Sequence, residues 1–289
     1  MKRAIYCLAV SFISAIAQAA PTELTYWDFL GGGDGIRMKQ IVAEFNKSQS
    51  DIHVNESTLT WGEPFYTKVH TAVVAGQTPD VMTYHLSHFP AGILAKDLRP
   101  LTTEELSQAG LKASDFQKSL VDISLENSKK YGQTDQLFGV PLDFHTLVLY
   151  YNKTALQKAG LLSADGKPTG LDSYEAFTKM LTEAKAKTHL IPVSANIYSE
   201  DPASLWRIWY TFLVQQGGSF VKDGKLSFDD ALSKGTKSLQ SIADWSQQGL
   251  IPKNTGYPSM VALFTAGRAC FMINGNWEVP TLVDLKKQG

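Results

Sequence analysis

The sequence has little cysteine, almost no net charge and no long apolar run beyond its first twenty residues. Its 289 residues include two cysteines, Cys7 and Cys270. Because Cys7 lies in a predicted leader segment, the exported chain is expected to keep one thiol and to form no internal disulfide. The 27 basic and 28 acidic residues give a formal net charge of −1. This balance argues against a nucleic-acid-binding protein, which needs a basic surface.

The first nineteen residues follow the order of a secretory signal peptide. Two cations at positions 2 and 3 precede an apolar run at residues 4–17, which is too short to span a bilayer. The small-residue sequence Ala17-Gln18-Ala19 follows and is typical of a cleavage site. We therefore predict that residues 1–19 are a signal peptide. With no second long apolar segment, membrane contact is expected only through a partner.

Strands and helices alternate along the chain, which predicts an α/β fold with parallel strands joined by helical crossovers. The elements predicted in the first part are a strand at 24–27, a glycine-rich turn at 31–35, a helix with apolar residues at Met38, Ile41, Val42 and Phe45, a strand at 52–54, a helix at 64–75 and a strand within 79–84. A length of 289 residues suits two lobes better than one core.

The second part continues the alternation after a long extended run at 138–151, which Pro141 interrupts and which we predict to cross between lobes. Helix starts are predicted at Ser114 with Gln117 and at Asp172 with Glu175, from their cap-to-N3 spacing. The other predicted elements are a strand at 191–195, helices at 204–215, 229–248 and 259–266, a hairpin turn at 223–224, and a strand at 269–273 followed by a turn at 274–276.

The glycine and histidine patterns of the sequence give little support for a nucleotide site or a metal site. The glycines at 31–35 match neither dinucleotide nor phosphate-loop spacing, so a loop that offers backbone donors, or a plain turn, is expected. His85 and His88 stand three positions apart, as His-x-x-His, with His145 elsewhere, yet no His-Glu-x-x-His pattern accompanies them. Ligand contacts and ordinary surface histidines remain the alternatives. We expect no metal and no cofactor.

Catalysis is not expected either. The sequence lacks the Gly-x-Ser-x-Gly pattern of an activated serine. A glycosidase needs two carboxylates close together, and Asp28, Asp143 and Glu278 leave such a pair open. We predict that the protein is not an enzyme and keep an exported glycan-active enzyme as an alternative.

The six tryptophans divide by their place in the predicted elements. Trp245 and Trp209 lie on apolar helix faces and are predicted to be core residues, whereas Trp206 fits either core or cleft. Indole faces stack well on the C–H face of a sugar ring. Ligands of α/β folds bind near strand ends, and three tryptophans are predicted there: Trp27, Trp61 and Trp277.

Four segments, in this order, resemble the extracellular sugar-binding proteins of ABC importers, the maltose-binding-protein-like family. They are AGQTPDV at 75–81, the run at 138–152 that ends in LYYN, Gly217-Gly218, and residues 267–277. The resemblance implies a two-lobe periplasmic-binding-protein fold with hinge crossings. Lobe 1 would comprise residues 20–142, completed in part by 267–289, and lobe 2 would comprise residues 143–266.

The resemblance also implies a function and a set of contacts. The function is periplasmic capture of a mono- or oligosaccharide by a monomer, and its delivery to a membrane ABC permease. Maltose-binding protein has an acidic residue at the place of His145, so its ligand does not carry over, and Asp143 is expected to make that carboxylate's hydrogen bonds. The implied contacts, with Trp61 added from its strand end, are Asp28, Phe29, Trp61, Tyr84, His85, Ser87, His88, Asp143, His145, Asn196, Trp206, Asn274 and Trp277.

The chain departs from the family after the second crossing. It ends twelve residues after Trp277, where the family continues and completes both lobes. We therefore expect that the C-terminal parts of both lobes are missing and that the chain is a truncated, weakly folding or nonfunctional form. The alternative ligand is a phosphorylated polyol such as glycerol 3-phosphate. The lack of Arg or Lys in the candidate loops weighs against that ligand, because phosphate usually recruits one.

Overall fold

The computed structural model describes residues 20–199 and 201–288, and the chain divides into two compact units. The first unit holds the residues up to Gly31 together with Gly35–Pro141, and the second holds Gly32–Asp34 and Leu142–Gly289. The predicted signal peptide at residues 1–19 lies outside the described residues. Within the described ranges, the structure contains no helix with the length and apolarity needed to cross a membrane.

The first unit is built on a parallel three-stranded sheet with the order β2-β1-β3. Thr22 of β1 lies opposite Ile52 of β2, and Asp28 lies opposite Thr58, so both strands end at the same edge. The predicted alternation with parallel strands is confirmed in this unit. Its elements are β1 (Thr22–Asp28), α1 (Gly33–Ser48), β2 (Ile52–Thr58), α2 (Glu63–Ala75), β3 (Val81–Met82), a 3-10 helix (Leu86–His88), α3 (Phe89–Leu94), α4 (Thr103–Gln108), a 3-10 helix (Ala113–Asp115) and α5 (Lys118–Gly132).

Helix α1 begins inside the predicted glycine turn rather than after it. A side chain at Gly35 would place its Cβ 1.9 Å from the carbonyl oxygen of Leu30, so only glycine fits there. The predicted apolar stripe of α1 is only partly covered: Met38 packs against the core, while Ile41 and Phe45 are 57% and 40% exposed.

Two predicted helix starts are wrong in detail. Ser114 lies in a 3-10 helix, and the α-helix that follows, α5, begins at Lys118 with Gln117 as its N-cap. Helix α7 is capped by Ser173, whose hydroxyl accepts a hydrogen bond from the amide of Ala176 at 3.0 Å. The cap is thus one residue later than the predicted Asp172, because several side chains near a helix start have suitable chemistry and only one has suitable backbone geometry.

The second unit contains a mixed sheet with the order β4-β8-β5. Strand β8 pairs antiparallel with β4 and parallel with β5, so the prediction of parallel strands is wrong for β4. Its elements are β4 (Leu147–Tyr151), α6 (Lys153–Lys158), α7 (Tyr174–Thr188), β5 (Ile191–Ala195), α8 (Pro202–Gln215), β6 (Val221–Lys222), β7 (Lys225–Leu226), α9 (Phe228–Gln247), α10 (Tyr257–Thr265), β8 (Ala269–Gly275), a 3-10 helix (Asn276–Glu278) and α11 (Val279–Gln288).

The predicted extended run at 138–151 shortens to a five-residue strand, Leu147–Tyr151. Its partner β8 ends at Gly275, which lies opposite Leu147, and the chain then turns into a 3-10 helix. Residues 138–146 are irregular, since the ladder stops where the partner strand stops. Asn274 and Gly275, which were predicted in a turn, belong to β8.

We expected residues 267–289 to belong in part to the first lobe. In the structure, Ala269–Gly275 is the middle strand of the second sheet. The core of this unit surrounds that strand, and its fully buried members include Leu181, Val193, Trp245 and Phe271. Burying each such side chain contributes about 1.5–3 kcal/mol.

Candidate functional site

The predicted site residues form two groups, one in each unit, and we describe each group by itself. In the first unit, Asp28 ends β1 and is fully buried. Its carboxylate accepts hydrogen bonds from the amide of Leu30 at 2.9 Å and from the hydroxyl of Thr58 at 3.4 Å. Burial, with the Asp28 charge beside it, raises the pKa of Glu56 above its usual range. Asp28 therefore holds the loop after β1 and has no surface to offer a ligand.

Aromatic and histidine rings pack together in the first unit, and we call Phe29, Trp61, Tyr66, His85 and His88 the histidine cluster. His85 stacks on Phe29 with ring centres 4.3 Å apart, and the Trp61 ring is nearly perpendicular to that of His85 with ring centres 6.5 Å apart. His88 stacks on Tyr66 at 3.7 Å and 7°. The Tyr66 hydroxyl and Nδ1 of His85 are hydrogen-bonded, which fixes the His85 ring. Phe29 is 4% exposed, so the histidines and Trp61 form the accessible part.

Tyr84 and Ser87 lie beside the histidine cluster with different surroundings. Tyr84 packs edge-on against Tyr66, and a side chain at Gly92 would reach within 2.7 Å of the Tyr84 hydroxyl. Burial, and to a smaller extent the charge of Asp97, raises the pKa of Tyr84 to about 12, so the phenol stays neutral. Ser87 is exposed, and its hydroxyl lies 3.2 Å from Nδ1 of His88.

In the second unit, Trp277 is held on several sides. Its indole nitrogen donates to the hydroxyl of Tyr257 at 2.9 Å. A Cβ on Gly275 would lie 1.9 Å from the ring, so the glycine leaves the space that the indole fills. The guanidinium carbon of Arg207 lies 5.9 Å from the centre of the Trp277 ring, and the ring of His145 lies 5.0 Å away.

A buried carboxylate stands behind this tryptophan. Glu278 is 2% exposed, and its Oε2 accepts a hydrogen bond from the Tyr257 hydroxyl and lies 3.4 Å from the amide nitrogen of Asn274. Asn274, itself 3% exposed, also accepts a hydrogen bond from the Gly275 amide at 2.8 Å. We call Trp277, Tyr257, Glu278 and Asn274 the Glu278 network.

A small cavity of about 20 Å³ adjoins Trp277. This volume is close to that of one water-sized group, so it suits a single substituent of a ligand rather than a whole ring. Polar and apolar side chains from two α-helices, a 3-10 helix, two strands and the loop after β5 line it: Leu147, Asn196, Ser204, Arg207, Ile208, Tyr257, Met260, Ile273, Asn274 and Trp277.

The remaining predicted residues of the second unit are more scattered. Asp143 and His145 are both exposed and form a 2.8 Å hydrogen bond with each other. Asn196 is 4% exposed and donates to Asp201 at 2.6 Å, so it lines the cavity with part of its hydrogen-bonding capacity in use. Trp206 is 50% exposed and stacks on Tyr210 with ring centres 5.0 Å apart, which places it outside the core.

A larger cavity of about 710 Å³ also lies in the second unit and shares Leu147, Ile208 and Ile273 with the small one. Its volume is in the range of small-molecule sites. Much of its wall is apolar core surface from Phe177, Phe212, Trp245 and Ile273. Among the described residues that line it, none is a predicted site residue. Polar side chains such as Glu175, Gln216 and Lys237 also line it. Because the predicted site residues of this unit lie around Trp277 and not in this cavity, we take the surface around Trp277 as the candidate site.

Metal binding receives no support from the described ranges, which contain no group of three or more His, Cys, Asp or Glu side chains placed to hold an ion. His85 and His88 lie in the first unit and His145 in the second. Their rings contact aromatic side chains. His85 and His88 each stack on an aromatic ring, and the His145 ring is tilted against Trp277.

Sequence reasoning missed Tyr257, Arg207 and Tyr66. Tyr257 lies twenty residues before Trp277, on α10, and the packing of α10 against β8 brings the two together. The sequence feature that could have indicated Tyr257 is its place at the start of a helix, directly after Gly256. Arg207 follows Trp206 directly on α8 and gives the candidate surface a cation outside the loops in which none was expected.

A parallel α/β unit and a mixed α/β unit, each with aromatic and polar side chains beside strand ends, define the fold of the solute-binding proteins. The structure has a TM-score of 0.72 to the GacH receptor of Streptomyces glaucescens, which has been solved with acarbose, at 22% identity over 93% of this chain and 63% of that one. A solute-binding protein from Thermotoga lettingae, bound with α-D-tagatose, also has a TM-score of 0.72, at 19% identity over 92% and 65% of the two chains.

The chain belongs to the bacterial extracellular solute-binding protein family, whose model matches residues 40–289. The sn-glycerol-3-phosphate-binding periplasmic protein of Rhizobium meliloti is 24% identical over 283 residues, which are 97% of this chain and 63% of that protein. The arabinooligosaccharide-binding protein of Bacillus subtilis is 25% identical over 83% of this chain and 51% of its own length. The chain thus spans less than two thirds of the length of these relatives.

Proposed function

We propose that this protein captures a mono- or oligosaccharide in the periplasm, carries out no chemistry on it, and delivers it to an ABC permease in the membrane. The observation that carries the proposal is the Trp277 indole, which is fixed by Tyr257 and Gly275 beside a small polar cavity. An immobilised indole next to amide and hydroxyl groups is the surface that a sugar requires, because a sugar has both apolar C–H faces and hydroxyl edges.

The cavity wall supplies the polar half of such a site. Asn196 and Asn274 have amide groups with both donors and acceptors, and Ser204 adds a hydroxyl. The cavity admits about one water-sized group, so a single hydroxyl or hydroxymethyl substituent would enter it while the ring stays outside. The histidine cluster of the first unit offers a second surface of stacked rings and ring nitrogens.

The location and the permease partner are inferred from the family. Its members are described as extracellular solute-binding proteins, and the Rhizobium meliloti relative is named as periplasmic. The Bacillus subtilis relative is named for arabinooligosaccharides, and one from Streptococcus mutans for multiple sugars. These names support a transported carbohydrate and a binding role without catalysis.

A phosphorylated polyol is the second candidate ligand, because Arg207 lines the cavity. A guanidinium binds phosphate oxygens in bidentate fashion, with charge-assisted hydrogen bonds. The Rhizobium meliloti relative is named for sn-glycerol 3-phosphate. Arg207 also lies near the Trp277 ring, where a cation is attracted to the indole whatever the ligand is, so its presence fits a neutral sugar as well.

Thermal unfolding with ligand panels tests both candidates. A ligand at about 100 times its dissociation constant adds roughly 2.7 kcal/mol to the free energy of unfolding, which raises the Tm by several degrees. We expect a rise with one or more neutral saccharides, and expect it to persist in Arg207→Gln. A rise with sn-glycerol 3-phosphate alone, lost in Arg207→Gln, would favour the second candidate, and a cooperative transition that no carbohydrate shifts would contradict the proposal.

A further inference from the structure

The hydrogen bonds of the Glu278 network have a fixed direction. An indole N–H is a donor only, so the Tyr257 hydroxyl must accept from Trp277. That hydroxyl then has its own proton left to donate, and Glu278 receives it at Oε2. The chain of donors therefore runs from Trp277 through Tyr257 to Glu278.

Burial makes this arrangement costly to disturb. Glu278 is 2% exposed and Asn274 3% exposed, so their polar atoms depend on partners within the protein. Burial, together with the neighbouring Glu278, raises the pKa of Tyr257 far above its usual range, and the phenol therefore keeps its proton and continues to donate. Removing one member leaves a buried polar atom without its partner.

The steric surroundings of the indole agree with the hydrogen bonds. Gly275 leaves room for the six-membered ring of Trp277, and a Cβ there would lie within 2.2 Å of three of its carbons. The nitrogen edge of the same indole faces Tyr257. Contacts at both edges hold one orientation of the ring.

We propose that Tyr257 and Glu278 are positioning residues that hold the Trp277 indole with its N–H engaged inside the protein, so that a ligand meets the ring by stacking and not by a hydrogen bond. This inference rests on the proposed function for the ligand class. It assigns to the site a sugar ring that presents a C–H face to Trp277, with one hydroxyl or hydroxymethyl group directed to the asparagines and Ser204 of the cavity.

The indole N–H signals in a ¹H–¹⁵N spectrum of the ligand-free protein test the positioning directly. The six tryptophans give one signal each, and Trp277→Phe identifies the relevant one. We expect Tyr257→Phe to shift the Trp277 signal upfield, as the N–H loses its acceptor. Glu278→Gln should shift the same signal by a smaller amount, because it weakens the hydrogen bond of the Tyr257 hydroxyl, which in turn accepts from the indole N–H. If Glu278 only packed against its neighbours, this substitution would not shift the signal.

Thr178→Val is the matched control, because the Thr178 hydroxyl accepts from the buried indole of Trp245 at 2.8 Å in the same unit. It should shift the Trp245 signal and leave that of Trp277 unchanged. A Trp277 signal that stays unchanged in Tyr257→Phe would overturn the inference. A bound saccharide that replaces Tyr257 as the hydrogen-bond acceptor of the indole N–H would also overturn it.

Affinity provides the second readout. Loss of one hydrogen bond that orients the ring should raise the saccharide Kd by about tenfold in Tyr257→Phe, whereas Thr178→Val should leave it unchanged. Equal Kd values for wild type and Tyr257→Phe would contradict a positioning role. If wild type binds no saccharide, the proposed function fails, and the ligand-free indole spectra still decide whether Tyr257 and Glu278 position Trp277.

Discussion

Replacing Gly275 with alanine should displace Trp277 and abolish the candidate site. The backbone of Gly275 has φ −82° and ψ 164°, an extended conformation that alanine adopts without strain. The effect is therefore steric. The added Cβ would lie 1.9, 2.0 and 2.2 Å from three ring carbons of Trp277, while ordinary contacts begin at 3.4 Å. The indole must move by well over an ångström.

The expected magnitude follows from two costs. Overpacking of this kind destabilises by about 1–3 kcal/mol. A displaced indole also loses its 2.9 Å hydrogen bond to Tyr257, which adds about 1–3 kcal/mol if the groups stay buried. Each kcal/mol lowers the Tm by roughly 2–4 °C for a chain of this size. Saccharide affinity should fall by at least about tenfold, since the stacking surface leaves its place.

Thermal unfolding and calorimetric titration of Gly275→Ala measure both effects. Gly31→Ala is the control, because a Cβ at Gly31 has no atom within 4 Å in the described part of the chain. The control should retain both the wild-type Tm and the wild-type Kd. If Gly275→Ala matches wild type in both quantities, Trp277 does not occupy the space beside Gly275 and our account of the site is refuted.

Three other predictions concern separate parts of the molecule. Hydrogen bonds from Arg99 and from a backbone amide lower the pKa of Glu105 from 4.5 to about 2, so its contribution to stability is present above pH 4.5 and lost as the pH falls toward 2; the difference in Tm between wild type and Glu105→Gln should vanish over that window, and a difference independent of pH would contradict this. Tyr66→Phe removes the bond to His85 and keeps the ring, and should cost about 0.5–1.5 kcal/mol in urea unfolding; no change would show that the bond is not formed. Trp206→Ala removes a half-exposed ring and should lower the free energy of unfolding by less than about 1.5 kcal/mol; a larger loss would place Trp206 in the core.

Local patterns in the sequence predicted much of the secondary structure. The strand at 191–195 is found at those residues, and the helix predicted at 64–75 is found at Glu63–Ala75, followed by Gly76 in the left-handed conformation. The hairpin turn is also confirmed, since Asp223 and Gly224 both have positive φ. These elements depend on short-range chemistry, namely apolar periodicity and turn residues, which the sequence shows directly.

The side-chain geometry of the candidate site could not be predicted from the sequence, because it depends on contacts between residues far apart in the chain. Asp28 is of a residue type that often contacts ligands, yet the structure buries it, and its carboxylate accepts a hydrogen bond from the amide of Leu30. The orientation of Trp277 depends on Tyr257 and on the missing side chain at Gly275, and neither relation follows from spacing along the chain. Hydrogen-bond partners across a sheet are set by register, which single-sequence patterns do not specify.

Calorimetric titration of the chain with the saccharide that raises its Tm most, in wild type and in Trp277→Ala, tests the central claim most directly. We predict that wild type binds one saccharide per chain and that Trp277→Ala binds it at least about tenfold more weakly. Both proteins should unfold cooperatively. Equal affinities of the two proteins for the saccharide, or heat from sn-glycerol 3-phosphate alone, would contradict the claim that this surface captures a sugar.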